Sequence, residues 1–158
     1  MDRHELSQQR GLYFEEFEIG HEIFSASRTV TEADIVGFAG LTGDWTSIHT
    51  DAVFAAAHPL GQRVAHGLLG LSVAVALATW TGFIEGTVLA FREIIDWKFR
   101  LPIYLGDTIS MRAKVIEVKS VRQLGGGLVN FKVDLLNQDG KIVQQGKWVM
   151  LVMNKPEG

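Results

Sequence analysis

The sequence predicts an α+β domain in which a curved antiparallel sheet wraps around one long, apolar central helix. Three observations predict it. Leu68 to Trp80 is a thirteen-residue apolar run interrupted by Gly70, Ser72 and Thr79. That is short of the roughly 20 residues a membrane span needs. It is apolar on nearly every helical face, so burial on most faces is expected. The second half of the chain instead alternates apolar and polar residues over segments longer than the usual strand, and long strands imply a strongly curved sheet. Glycine is abundant (17 residues) and proline scarce (3), which suits long strands joined by glycine turns. A long apolar helix must be enclosed, and the alternating strands are the material for that enclosure.

The elements follow in order. Residues 1–11 read as a flexible tail, polar from Met1 to Arg10 and without the apolar core of a secretory signal; the expected compartment is the cytoplasm. Phe14, Phe17 and Ile19 are expected to tuck against the domain. Ile23 to Val30 reads as a first strand with Phe24, Ala26 and Val30 on one face. Thr31, with Asp34 three residues later, opens a helix as a loose capping box, and Thr42-Gly43 closes it. Thr50-Asp51 starts a short helix through Ala57, which His58-Pro59 stops. The long apolar helix runs from His66-Gly67 to Thr81-Gly82. Ile95, Trp97 and Phe99 then share a strand face. Ile109, Met111, Ala113 and Val115 share another, and the phase slips at Val115-Ile116 as a β-bulge would make it. Gly125 to Gly127 reads as a flexible hairpin tip. Val129, Phe131, Val133 and Leu135 alternate next, Asn137 to Gly140 is a hairpin turn, and a last strand runs from Lys141 to Met153.

At 158 residues the chain has the length of one domain, placed here at residues 12–153 with a C-terminal tail at 154–158. A domain of this size buries roughly 68–70% of its unfolded surface and needs no staple. Hydrophobic residues make up 47% and charged residues 21%, which excludes a disordered chain. The absence of cysteine excludes disulfides, iron–sulfur clusters and thiol nucleophiles. A net charge of −3 argues against non-specific binding to nucleic acid or anionic membranes.

The chemistry-bearing residues concentrate between Leu41 and Asp51. Asp44 and His49 would lie about 140° apart on one continuous helix, but on a loop opened by Gly43 they can converge on one water. The carboxylate would take a proton while the imidazole orients the water or returns a proton. Trp45 and Ile48 would keep the pocket wall dry. A second group, Val64-Ala65-His66-Gly67-Leu68, opens the apolar helix, where the first N–H groups lack intrahelical partners and suit an oxygen gaining negative charge. Gly67 would let a ligand approach the backbone. His66 reads as shaping this loop, His58 as a surface residue and Asp51 as a helix cap. No histidine pair has compact metal-ligand spacing, so no metal is expected.

The segment Phe38-Ala-Gly-Leu-Thr-Gly-Asp44-Trp-Thr-Ser-Ile-His49, followed by Ala55, resembles the hydratase motif of the MaoC-like dehydratases, the group that includes the (R)-specific enoyl-CoA hydratases. His66-Gly67 and Phe99-Arg-Leu-Pro102-Ile-Tyr-Leu-Gly106-Asp107 fit in order and spacing, and the resemblance spans about residues 12–153. It implies a single hotdog fold and reversible addition of water to a 2-enoyl thioester, giving a 3-hydroxyacyl product with (R) stereochemistry. It also implies that Asp44 and His49 form the catalytic pair, and that Gly67 N–H holds the thioester carbonyl oxygen with Trp45, Ile48 and His66 about the substrate. Where the family usually has Asn-Pro, this chain has Thr46-Ser47, either of which could supply a replacement hydrogen bond. A serine that some relatives carry further along the central helix aligns with Val75, so no catalytic serine is assigned.

The expected function is therefore a hydratase/dehydratase of fatty acid metabolism acting on an acyl-CoA, or on an acyl group of an acyl-carrier protein. No cofactor is required beyond the coenzyme A handle of the substrate. A hotdog acyl-CoA thioesterase and a non-catalytic acyl-CoA-binding protein are the alternatives. A homodimer or higher homo-oligomer is expected, because the curved sheet has edges that pairing would protect. Arg63, Lys98 and Arg100 are within the range of residues that could meet coenzyme A phosphates, and none is assigned.

Overall fold

The computed structural model describes residues 11–156; the tail expected at residues 1–10 lies outside them. Strands β1 (Glu22–Phe24) and β2 (Arg28–Thr29) precede helices α1 (Glu32–Thr42), α2 (Ser47–Thr50), α3 (Ala52–Ala57) and α4 (Gly67–Trp80). Strands β3 (Val88–Phe99), β4 (Thr108–Val121), β5 (Gly126–Leu136) and β6 (Ile142–Met153) follow. The sheet runs β1-β4-β5-β6-β3, with β2 also paired to β4, and its pairings are antiparallel.

The core forms where α4 meets the sheet. Leu69, Val73, Ala74, Leu77 and Ala78 of α4 are buried with Met111, Val115, Phe131, Leu135, Trp148 and Met150 of the strands. Phe17 stands edge-on to Phe131, ring centroids 5.7 Å apart, with Phe83 completing the group. The alternating residues Val129, Phe131, Val133 and Leu135 are all fully buried, as their period of two requires.

Several expectations hold at the level of single atoms. Thr31 and Asp34 form a capping box at α1, and Gly43 ends that helix with φ 79°, a left-handed value that glycine adopts without a Cβ clash. Asp51 Oδ1 caps α3 by accepting from the N–H groups of Val53 and Phe54, both at 2.9 Å. The bulge expected at Val115-Ile116 is the register shift between Val115 and Glu117. Asn137 Oδ1 accepts from the N–H groups of Asp139 and Lys141 to close the β5–β6 hairpin.

Other expectations are corrected. The single strand at Ile23–Val30 is two short strands, because Ser25 turns its hydroxyl onto Met111 N–H and the Ala26 carbonyl, breaking the run. Phe24 and Ile19 are exposed, while Phe17 and Val30 are buried. Only Gly125 occupies the turn (φ 70°); Gly126 and Gly127 are buried in β5, with the Phe14 ring in the space a Gly127 side chain would need. β3 begins seven residues before Ile95, and Phe99 at its end is exposed rather than sharing a buried face. α4 is not buried all round: Leu68, Ser72 and Thr79 form an open stripe that ends beside exposed Trp80. His58 is half-buried and accepts the Leu60 N–H at Nδ1. Gly11, last residue of the expected tail, is buried and bonded to the Glu85 carbonyl. Asn154 N–H likewise reaches the Gly125 carbonyl. No helix among the described residues is long and apolar enough to cross a membrane.

Candidate active site

Gly43 turns the chain out of α1, and Asp44 follows on the exposed loop. Its Oδ1 accepts from Thr46 Oγ1 at 2.5 Å and from Thr46 N–H at 3.2 Å. Thr46, one of the two residues from which a loop-fixing hydrogen bond was expected, makes one to Asp44. These bonds, the hydroxyl's first, hold the Asp44 carboxyl below the usual aspartate range, with a further contribution from the neighbouring His66 and His49. Asp44 is therefore a carboxylate at neutral pH.

His49 lies on α2, a four-residue turn not foreseen in the sequence. Its Nδ1 is 2.7 Å from the Val64 carbonyl oxygen. A carbonyl only accepts, so Nδ1 carries a proton and donates it, which in the neutral tautomer makes Nε2 the acceptor. Val64 is itself held, through its N–H to the Ile48 carbonyl and a β-bridge to Tyr104. His66 is 3% exposed, and its Nε2 lies 2.9 Å from the Asp44 carbonyl oxygen. The same logic puts the proton on Nε2, leaving Nδ1 buried without a partner.

Asp44, His49 and His66 converge: one ligating atom of each lies within 4.8 Å of those of the other two. A water with hydrogen bonds of about 2.8 Å bridges groups up to about 5.6 Å apart, so the Asp44 carboxylate and the His49 ring lie within the reach of one water. The trio also satisfies the distances of a three-ligand cation site. His66 Nε2, however, spends its proton on the Asp44 carbonyl and offers no lone pair there.

Gly67 follows His66 at the start of α4. The edge of the Phe99 ring lies 2.8 Å from where a Gly67 Cβ would stand, so any larger residue here would have to displace Phe99. Beside it opens a cavity of about 600 Å³, lined mainly by apolar residues including Leu60, Val64, Gly67, Leu68, Phe99 and Ile103. Asp44, His49 and His66 are not in its lining, but Val64, which anchors His49, and Gly67, which follows His66, are. Trp45 and Ile48 do not line the cavity either. Trp45 is 55% exposed and rests near Gly40 of α1, because the Thr46 turn directs it outward.

Residues 16–135 match the MaoC like domain. The chain belongs to the MaoC-like family. It is 38% identical over 116 residues to 3-hydroxybutyryl-CoA dehydratase of Methylorubrum extorquens, covering 72% of this chain and 69% of that one. It is 26% identical over 140 residues to (R)-specific enoyl-CoA hydratase of Rhodospirillum rubrum, covering 89% and 91%. Among solved structures it resembles the monoamine oxidase regulatory protein of an Archaeoglobus species, with TM-score 0.86, 35% identity and coverage of 93% and 97%. It also shares its fold with a Mycobacterium tuberculosis protein described as a double hotdog fold, with TM-score 0.78, 18% identity and coverage of 94% and 46%. The MaoC-like chain is thus a single hotdog domain.

Sequence reasoning missed two residues around the site of this MaoC-like protein. Phe99 covers Gly67, and Gln144 of β6 lines the cavity while only 2% exposed. A glutamine in a strand that is otherwise mostly buried was the available signal. Its partners, 47 and 77 residues away in the chain, could not be read from spacing.

Proposed function

We propose that this MaoC-like protein adds water reversibly across the 2,3 double bond of an enoyl-CoA, giving a 3-hydroxyacyl-CoA. The observation that carries this reading is the convergence of the Asp44 carboxylate and the His49 imidazole, beside the opening turn of α4 and an apolar cavity. The activities for which the similar proteins are named support it.

The geometry refines the division of labour expected from the sequence. A carboxylate held below its usual range is a weak proton acceptor, whereas an imidazole that donates from Nδ1 can accept a proton at Nε2. In hydration a water donates one hydrogen bond to each. As its oxygen bonds to C3, His49 Nε2 takes the proton and Asp44 stabilises the imidazolium that forms. The C2–C3 π electrons move toward the thioester carbonyl, whose oxygen gains charge against the Gly67 N–H. The enolate then collapses, and the proton on His49 passes to C2, restoring neutral imidazole. Stabilisation of the oxygen grows as the charge develops, which is what lowers the barrier.

The test is loss of enoyl-thioester absorbance on mixing with crotonyl-CoA, beside a longer enoyl-CoA and an Asp44→Asn control. Loss with the wild type alone, without free thiol, supports hydration. Release of free thiol would point to a thioesterase. Chiral analysis of the product tests the (R) assignment.

A homodimer fits the same reading. Among the described residues β3 is an edge strand paired only with β6, and Leu89, Phe91 and Ile94 along it are exposed. An exposed apolar edge of this length favours pairing with a second strand. Light scattering that gave a monomer at working concentration would remove this part of the proposal.

A further inference from the structure

Gln144 sits at the third position of β6 and is one of a few polar residues buried in the domain. Its Nε2 donates to the Gly67 carbonyl at 2.9 Å, and its Oε1 accepts from Trp97 Nε1 at 3.1 Å. The indole N–H can only donate and the peptide carbonyl can only accept, so the two partners leave the amide one orientation.

Three glycines make room for this arrangement. A Cβ at Gly70 would collide with the Gln144 amide and come within 2.8 Å of Ile103 Cδ1. A Cβ at Gly146 would stand 2.6 Å from the Trp97 ring, and one at Gly67 would meet Phe99. Trp97 follows Asp96, which has φ 51°, inside the register shift between Ile95 and Lys98 on β3.

Gly67, the first residue of α4, has the torsional freedom of a glycine. The peptide before it is held by His66, whose ring is anchored to the Asp44 carbonyl. The peptide after it is held by Gln144, which grips the carbonyl oxygen of Gly67 itself. Both sides of the glycine are therefore pinned, one from the catalytic loop and one from the sheet.

We propose that Gln144 is a positioning residue that fixes the Gly67 turn so that its N–H faces the thioester oxygen. It acts through the backbone and does not touch the reacting atoms. This role rests on the hydratase reading, in which that N–H meets charge that develops during the reaction. Preorganised donors of this kind act mainly on the transition state.

The experiment compares wild type, Gln144→Leu and Trp97→Phe in two assays. The first is enoyl-CoA hydration. Gln144→Leu is expected to lower kcat about tenfold or more while leaving KM within about twofold, the signature of an interaction gained in the transition state. The second is amide hydrogen exchange over residues 67–71, which requires no activity. Exchange there is expected to rise about tenfold in Gln144→Leu and about threefold in Trp97→Phe, with the strand core unchanged. Unchanged kcat in a folded Gln144→Leu, or unchanged exchange at 67–71 in either variant, overturns the proposal. If Gln144→Leu does not fold, Trp97→Phe decides through exchange. A wild type that hydrates no enoyl thioester would refute the hydratase reading, and the clamp would then stand or fall on exchange alone.

Discussion

The imidazole of His49 lies stacked on that of His66, with ring centroids 3.9 Å apart and planes 29° apart. Phe38 of α1 also packs against His66, with ring centroids 5.0 Å apart and planes tilted by 49°. His66 thus touches both α1 and the ring of His49, and the stacking restrains the plane of the His49 imidazole. Its own N–H ties down the Asp44 peptide. His66→Ala removes both supports and is expected to lower kcat about tenfold or more. His66→Phe keeps a stacking surface but not the bond, and should recover part of that loss. Steady-state kinetics on both variants check this.

His49→Asn separates anchoring from catalysis. The asparagine amide can still donate to the Val64 carbonyl in place of Nδ1, but nothing replaces Nε2. The expected loss is about 10²–10⁴ in kcat with little change in Tm. A variant that retained wild-type kcat would remove His49 from the proton transfer.

The Thr46 bonds give a pH prediction with a definite sign. The Asp44 carboxyl is held below the usual aspartate range, so its charge survives to lower pH than that of a free aspartate. Folding stability linked to it is present above the unfolded value and is lost as pH falls through the folded one. Thr46→Val deletes the hydroxyl bond, the larger of the two Thr46 contributions, and should move the titration of Asp44 up toward the usual aspartate range. Carboxyl carbon NMR on wild type and variant reads the shift directly. No upward movement would refute the assignment of its cause.

Phe131 is fully buried among Phe17 and Phe83. Phe131→Ala removes the ring and leaves a cavity, at an expected cost of about 3–5 kcal/mol. Equilibrium denaturation in urea measures it.

Ile94 is 45% exposed on the free-edge strand β3. Ile94→Lys places a charge where a second copy would pair, and should shift the protein toward monomer in light scattering while the fold is kept. An unchanged oligomer would place the interface elsewhere.

Local signals carried much of this structure in the sequence itself. The Thr31–Asp34 box, the Gly43 stop, the Asp51 cap, the β4 bulge and the Asn137–Gly140 turn each depend on residues a few positions apart. Side-chain period and capping chemistry act over that range, so they can be read along the chain. The Asp44–His49 pairing was legible for the same reason, once a loop was allowed between them. Tertiary structure decided what depends on contacts distant in sequence. It buried His66 against His49 and chose the tautomers of both rings through the Val64 and Asp44 carbonyls. It opened one face of α4, set Phe99 on Gly67, and brought Gln144 from the far end of the chain to hold the turn. The physical reason is that an unpaired hydrogen-bonding group takes whatever partner folding brings within reach, and a linear pattern of polarity does not name that partner.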